Sequence, residues 1–256
     1  MSVRERVRFD SQPVSEQCFT EHFWSLWDKM ALNHGVCSPL PAPLKPRYLG
    51  LLTLLALYIF IRESVDLIIL ETGIGGETDS TNVITAPIAT GITEIGLDHV
   101  DRLGETLEKI AWHKSGIFKK GIPAFSVPQN DIVRPTLIKR AEDKDTNVEF
   151  VQEGFLTNNR ISVWPDATYP RMNAALAVEL SNACFTRFQS GGKVDAGVAR
   201  CIEDIELPAK FEIIDDRKIT WVLTSSHNDQ SVRATCEVFA QFIQRLVVRM
   251  QPPGLD

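Results

Sequence analysis

The sequence has 256 residues, 44% of them hydrophobic and 23% charged, which is enough for one large globular domain and part of a second. The formal net charge is −6 and no Lys/Arg cluster stands out, so nucleic acid is not an expected partner. The N-terminus lacks the apolar core of a secretory signal, and the apolar run 48–61 is shorter than the roughly 20 residues that span a bilayer. A membrane is therefore not an expected partner either.

The cysteines are widely spaced and form no C-x-x-C pair. This pattern predicts reduced thiols in an intracellular compartment, and neither a disulfide framework nor a zinc site. We interpret these residues as small apolar side chains of the interior. They are Cys18, Cys37, Cys184, Cys201 and Cys236.

The N-terminal quarter predicts two helices joined by a loop. After a charged, strand-like segment at 4–9, apolar residues at helical spacing predict an amphipathic helix over 14–30, with Ser15 as its N-cap. The proline-rich segment 38–47 predicts an extended loop. Residues 48–62 are apolar on nearly every side, which predicts a helix buried all round.

The middle of the chain predicts a parallel sheet. Residues 65–70 form an apolar run without polar alternation, which is typical of a strand buried on both faces. Residues 88–95 and 124–127 predict two further strands, separated by an amphipathic helix at 104–118. This alternation predicts an α/β fold with a doubly wound, mostly parallel sheet and helices on both faces.

The C-terminal part predicts more helices and a second domain. A helix at 134–143 is followed by a weak hairpin pattern over 148–167, and helices are predicted at 171–184 and 194–205. Strands at 211–214 and 219–223 and a helix at 230–250 are too little to bury a core alone. We therefore predict a central domain over 1–206 and part of a C-terminal domain over 207–256.

Several polar residues of the middle segment could carry chemistry. Glu71 follows the apolar run 65–70, where ligands bind in open α/β sheets, although a solvated carboxylate explains it equally well. The turn Gly73-x-Gly75-Gly76 permits close backbone approach to a ligand but fails as a dinucleotide fingerprint. His99, flanked by Asp98 and Asp101, could bind metal, and Lys114 could simply complement a helix dipole.

Taken together, these residues match a known family. The segments ETGIGGETDSTNVI, GLDHVDRLGETLEKIAWHKSGIFKKGIPAFSV and VRERVRFDSQPVSE resemble folylpolyglutamate synthases, of the Mur-ligase-like superfamily, and most closely the eukaryotic type. The resemblance is continuous over 3–127 and looser to about residue 239. It implies a Mur-ligase-type central domain that uses ATP and Mg²⁺ to join L-glutamate to the γ-carboxylate of a folate through an acyl phosphate.

The resemblance also implies roles for single residues. Glu71 and His99 would bind Mg²⁺, and Lys114, 15 residues after His99 (114 − 99), would be carbamylated and would act with His99 in catalysis. The folate would contact three consecutive residues, Thr78, Asp79 and Ser80. ATP would contact Asn173, Lys210 and Thr224, of which the last two stand where the family has an arginine and an aspartate.

Other family features are not found in the sequence. No G-x-x-x-x-G-K-[ST] phosphate-binding loop occurs in the 256 residues, so we expect the chain to be shorter than the family's enzymes at both ends and to lack their first strand. This leaves open a catalytically inactive remnant that at most binds folate or a partner. A hydrolase with a carbamylated lysine is a third alternative, without a His-x-His pair to support it. We expect a monomer in the cytoplasm, the mitochondrion or both.

Overall fold

The computed structural model describes residues 2–32, 46–188, 192–205, 207–216 and 219–250. The chain divides into two compact units, Met1–Gly73 with Asp79–Val83, and Ile74–Thr78 with Ile84–Asp256. Most of the predicted loop 38–47 lies outside the described residues, and the domain boundary after residue 206 stays a prediction. No helix in the described part of the chain combines the length and apolar character needed to cross a bilayer.

The first unit is built on two helices, α1 (Glu16–Leu32) and α2 (Tyr48–Arg62). Both were predicted, and the Ser15 hydroxyl accepts a hydrogen bond from the Cys18 amide at 3.1 Å, as an N-cap does. The predicted first strand is instead a 3-10 turn, Val3–Arg6, and a two-residue antiparallel ladder of β1 (Arg8–Phe9) with β2 (Gln12–Pro13). The core of the unit consists of Val7, Val14, Leu26, Leu55 and Ile59.

Burial of α2 on every side was predicted, and this prediction is wrong. Only Leu55 and Ile59 of the helix are buried, whereas Tyr48 and Ile61 are 61% and 73% exposed. One face of α2 packs on the N-terminal segment and α1, and the described residues of the small first unit cover the rest of the helix only in part.

The strand predicted over 65–70 is also absent. These residues are not part of any ladder in the described chain, and Leu67, Ile68 and Ile69 are exposed, Ile69 to 87%. The backbone leaves α2 through Ser64 in the left-handed conformation, with φ +55°. Apolar composition favours a strand only where a partner strand supplies hydrogen bonds, and none of the described strands pairs with this segment.

The second unit contains a three-stranded parallel sheet of β3 (Thr90–Ile92), β4 (Ala124–Ser126) and β5 (Val148–Phe150), in that order. The connections carry α3 (Val100–Leu103), α4 (Leu107–Lys114) with the 3-10 turn Ser115–Ile117, and α5 (Val133–Asp143). β3 and β4 confirm two predicted strands at shorter length. β5 takes the place of the predicted hairpin because it pairs in parallel with β4.

Helices cover both faces of this sheet. Ile92 and Ala124 belong to a buried cluster with Ile110 of α4 and Leu137 of α5. Successive strand residues face opposite sides, and a Cβ on Gly91 would lie 2.9 Å from Leu180 of the long helix 168–188, which covers the other face. The predicted doubly wound α/β architecture is therefore confirmed.

The rest of the second unit is mostly helical. It comprises α6 (Gly154–Asn158), α7 (Thr168–Phe188), α8 (Ala196–Ala199) with the 3-10 turn Arg200–Ile202, an antiparallel hairpin of β6 (Lys210–Asp216) and β7 (Ile219–Thr224), and α9 (Asp229–Met250). Phe211 is the buried anchor of the hairpin, with its ring 6.0 Å from Trp164 and 6.1 Å from Phe242. Most other hairpin side chains are exposed.

Candidate functional site

A glycine turn packs against the C-terminal end of α4. The Glu77 amide donates to the His113 carbonyl at 2.8 Å. A Cβ on Gly76 would lie 2.6 Å from the Lys114 carbonyl oxygen and 2.7 Å from that of His113, and one on Gly116 would clash with Glu77. We call residues 75–77 and 113–116 the junction. Its glycines permit the close approach of two backbones of the same chain, whereas the sequence pattern suggested approach to a ligand.

The junction fixes Lys114 at the last residue of α4. The following Ser115 is fully buried, and its hydroxyl donates to the Ala111 carbonyl at 2.6 Å. Burial lowers the pKa of the Lys114 amine, and the negative charge of Asp98 offsets only part of this effect. A lysine whose neutral form is favoured can act as a nucleophile towards CO₂, which a fully protonated surface lysine cannot.

An ion pair supports the junction from α5. Arg140 is 8% exposed and its guanidinium binds the Glu77 carboxylate, to which Lys144 adds a contact at 3.5 Å. The Arg140 guanidinium also lies over the Trp112 ring, 4.3 Å from its centroid. Glu77 and Arg140 were not among the predicted site residues. Glu77 and Arg140 position the glycine turn, because their ion pair holds the turn against α4 and α5.

His99 lies directly before α3 in an unusual conformation. Its φ is +50° and ψ +38°, in the left-handed region that costs a non-glycine residue of the order of 1 kcal/mol. Its amide donates to Oδ1 of Asp98 at 2.9 Å, and its ring Nε2 lies 3.9 Å from Oδ2. The imidazole is about 44% exposed and therefore accessible to a ligand.

Asp98 connects this loop to the segment before α9. Its Oδ2 lies 3.2 Å from Nε2 of His227, whose Nδ1 lies 3.0 Å from the Ser225 carbonyl oxygen. Gln230, in the first turn of α9, donates to the Glu94 carboxylate. These contacts hold the strand-end loop 94–99 against the start of α9.

The Asp98–His227 contact changes the titration of both groups. Both ring nitrogens of His227 face hydrogen-bond acceptors, which raise the pKa of the ring. The Ser225 carbonyl has the larger effect and Asp98 the smaller. Partial burial raises the pKa of Asp98, but hydrogen bonds from His227 and the His99 amide outweigh burial, and its pKa is lowered. The pair is therefore an ionised carboxylate beside a readily protonated imidazole.

The remaining metal and folate candidates are divided between the units. Glu71, Asp79 and Ser80 lie in the first unit, whereas Thr78 lies in the second with His99 and Lys114. Glu71 is exposed. Asp79 Oδ1 accepts from the amide and the hydroxyl of Thr81 at 2.9 and 2.7 Å, which are the contacts of a local turn. The Ser80 hydroxyl lies 3.1 Å from that of Thr53 on α2.

The three ATP candidates lie on two elements of the second unit. Lys210 and Thr224 are register partners across the hairpin, so the fold brings these two together. The Thr224 hydroxyl bonds to that of Ser226 at 2.8 Å. Asn173 is exposed near the N-terminus of α7. All three are accessible to a ligand.

The donor chemistry of Glu71 and His99 is compatible with a sparsely ligated ion. In the described part of the chain, neither residue belongs to a cluster of three closely spaced ligand side chains. Mg²⁺ commonly keeps several waters and uses one or two carboxylates together with substrate phosphates. The exposed carboxylate of Glu71 and the exposed imidazole of His99 are each the kind of single ligand that such an ion accepts.

Sequence reasoning passed over Asp98 and His227 as partners. They are 129 residues apart, and no local pattern connects them. The only signal was the acidic residue next to His99, which was noted as a flanking charge and not as a group that holds a second histidine.

No protein-family model matches the chain. It is 32% identical over 246 residues to folylpolyglutamate synthase of Neurospora crassa, covering 94% of this chain and 46% of the relative. It is also 32% identical over 282 residues to the mitochondrial folylpolyglutamate synthase of Homo sapiens, covering 99% of this chain and 46% of the relative. The chain thus spans about half the length of these curated relatives.

A solved complex of a folylpolyglutamate synthase (FPGS) with AMPPCP and folate has the same fold. The TM-score is 0.75 at 22% identity, and the match covers 94% of this chain and 62% of that one. The α/β architecture is therefore that of an FPGS structure.

Proposed function

We propose that this chain, a homologue of folylpolyglutamate synthases along almost its whole length, serves the ATP-dependent addition of L-glutamate to a folate. The observation that carries the proposal is the partly buried Lys114, which the charge of Asp98 reaches and which follows His99 at the sequence spacing that the family shows. The 32% identity to named synthases and the fold shared with an FPGS–AMPPCP–folate complex support it.

The chemistry has two steps. A γ-carboxylate oxygen of the folate attacks the terminal phosphorus of ATP, ADP leaves, and an acyl phosphate forms. The amine of glutamate then attacks the acyl carbon, phosphate leaves, and a proton is lost to give the amide. Both steps bring several negative charges together, so the site must supply compensating charge and exclude water.

Lys114 contributes as a carbamate in this proposal. Its neutral amine attacks CO₂, a nitrogen–carbon bond forms as one carbon–oxygen π bond opens, and a proton leaves to solvent. The lowered pKa of the amine favours this reaction because more of it is uncharged at neutral pH. The product is an anion fixed at the end of α4 by the junction, where it can orient a cation or the acyl phosphate.

Glu71 and His99 would hold Mg²⁺, which when bound supplies positive charge to the phosphate oxygens. Asp98 holds the loop that carries His99, and its contact with His227 fixes that loop to α9. Thr78, Asp79 and Ser80 are proposed folate contacts, and Asn173, Lys210 and Thr224 proposed ATP contacts. The mitochondrial form named for the human relative supports the mitochondrial part of the expected localisation.

The test is incorporation of labelled glutamate into tetrahydrofolate in the presence of Mg-ATP. Lys114→Arg keeps a cation but cannot form this carbamate, and we expect it to lower the rate by about 100-fold, the scale of losing one electrostatic group of a site. Lys119→Arg is the matched control, since burial also lowers the pKa of Lys119, and it should stay within about twofold.

Two results would count against the proposal. If Lys114→Arg were as active as the parent chain, the carbamate would have no role. If the parent chain incorporated no more glutamate than a Glu71→Ala variant, the inactive alternative would hold for this chain. Incorporation of ¹³CO₂ at Lys114, read by NMR, measures the carbamate without relying on activity.

A further inference from the structure

Three side chains of the first unit, none of them a proposed ligase residue, come together. Cys18 and His22 are one helical turn apart on α1 and therefore lie on the same face. Glu63 follows the last residue of α2. One ligand atom from each of the three lies within 4.8 Å of the others, and this is the only such group in the described part of the chain. We infer that Cys18, His22 and Glu63 form a binding site for a zinc-class divalent cation.

The spacing of the donors is close to what such an ion requires. His22 Nε2 and Glu63 Oε1 are 2.7 Å apart, in hydrogen-bond contact. Zinc bonds of about 2.0–2.3 Å at tetrahedral angles place neighbouring donors about 3.4–3.6 Å apart. The three donor atoms lie within 4.8 Å of one another, so binding requires the His22–Glu63 contact to open and the donors to close around the ion.

The donor types select the class of ion. A thiolate, an imidazole and a carboxylate form a mixed sulfur, nitrogen and oxygen set, which suits Zn²⁺ and is foreign to Mg²⁺ and Ca²⁺. Cys18 thiolate and Glu63 together supply two negative charges, which balance the charge of the ion. Three protein ligands leave a fourth tetrahedral position for water.

Binding exchanges a proton for a metal–sulfur bond. Burial first, and then the charges of Glu63 and Glu21, raise the pKa of the Cys18 thiol, so the metal-free residue keeps its proton at neutral pH. When the ion binds, that proton leaves to the buffer and sulfur donates an electron pair to the metal. No oxidation state changes. The sequence pattern alone predicted no zinc site because the third ligand is 41 residues from His22.

A simpler role for the same residues is a hydrogen bond between the helices. The His22 side chain is 18% exposed and its ring packs edge-on against Tyr58 of α2, whose hydroxyl contacts Lys29 and Arg62. In that arrangement the Cys18 thiol also donates a hydrogen bond to Glu63, so all three side chains have a partner without a metal. Glu63→Gln keeps a hydrogen-bond acceptor for His22 but removes the negative charge of Glu63, and the two interpretations predict different results for this variant.

The experiment uses the full chain, reduced and stripped of metal. Titration with CdCl₂ should produce a sulfur-to-metal charge-transfer band that saturates at one ion per chain, and competition with ZnCl₂ should give the zinc affinity. Cys18→Ser should abolish the band. Glu63→Gln still accepts a hydrogen bond from His22 but is a poor metal ligand, and it should weaken zinc binding by at least about tenfold while the metal-free melting temperature stays unchanged.

Cys184→Ser is the matched control, because Cys184 is another half-buried thiol with a raised pKa but has no partner ligands in this cluster. It should keep both the band and the zinc affinity. The proposal is overturned if the band survives in Cys18→Ser, if Cys184→Ser removes it, or if Glu63→Gln binds zinc as tightly as the parent chain. Circular dichroism of each variant shows whether it is folded, and if Cys18→Ser is not, the Glu63→Gln result decides.

Discussion

The junction and the hairpin hold their candidate residues in different ways. At the junction, backbone fits against backbone, Ser115 and Gly116 are buried, and the Glu77–Arg140 pair closes the contact, so Lys114 has little freedom. In the hairpin, Lys210 and Thr224 face each other on a ladder whose side chains are mostly exposed, with Phe211 as its buried anchor. A position fixed by backbone packing tolerates less change than one fixed by strand register alone.

The largest effect should come from adding a side-chain atom at Gly76, where the junction leaves no room for one. In Gly76→Ala the new Cβ would meet two carbonyl oxygens at 2.6 and 2.7 Å, and backbone atoms cannot rotate away. We expect a loss of about 3 kcal/mol in the free energy of unfolding, the upper end of what overpacking costs, measured by urea denaturation.

Gly154→Ala is the control for that substitution. A Cβ there would have no neighbour within 4 Å, and the residue begins α6, so the change should be neutral or slightly stabilising. Equal destabilisation by the two variants would show that the close approach at the junction does not matter.

A smaller effect should separate two tryptophans of similar exposure. Trp112 is 43% exposed and carries Arg140 on its ring, whereas Trp221 of β7 is 52% exposed. Trp112→Leu should cost about 1 kcal/mol more than Trp221→Leu, since it also removes a cation–π contact. Denaturation curves of the two variants measure the difference, and a larger loss at Trp221 would reverse our view of the hairpin as the more tolerant region.

The smallest effect concerns the pH dependence of the segment after the hairpin. The pKa of His227 is raised, so the contact of its protonated ring with Asp98 stabilises the fold fully at pH values below the ordinary histidine pKa. This stabilisation is lost as the pH rises through the raised pKa of His227. It is also lost in acid, as pH falls through the lowered pKa of Asp98.

NMR titration of the His227 ring measures this directly. We expect its midpoint above 6.5, and Asp98→Asn should lower it only in part because the Ser225 carbonyl contact remains. A midpoint that Asp98→Asn leaves unchanged would mean that the two side chains are not coupled in solution.

Local patterns were sufficient for several elements and insufficient for others. The boundaries of α2 and the N-cap of α1 follow from residues within a few positions of each other, and these predictions are confirmed. The burial of α2 and the strand at 65–70 depend on what lies beside them in space, which apolar composition does not specify. The pattern at 148–167 was interpreted as a hairpin because parallel pairing of β5 with β4 leaves no local signature.

The candidate site shows the same limit. His99 and Lys114 could be selected from their neighbours and from the family resemblance, and both lie in the second unit. The role of the glycines could not be predicted from the sequence. A glycine turn has the same sequence whether it approaches a ligand or, as at Gly76, the end of a helix of the same chain. The link between Asp98 and His227 spans 129 residues and depends on the tertiary fold alone.

The exposed residues 67–69 affect how the protein behaves at high concentration. This short, uncharged run of isoleucine and leucine pairs with none of the described strands, and exposed apolar runs favour the stacking of chains into aggregates. Asp66 and Glu71 flank this run and are both exposed, so they act as charged gatekeepers against such stacking. We therefore expect neutral substitutions of either carboxylate to favour aggregation, and one of the two, Glu71, is also the proposed Mg²⁺ ligand.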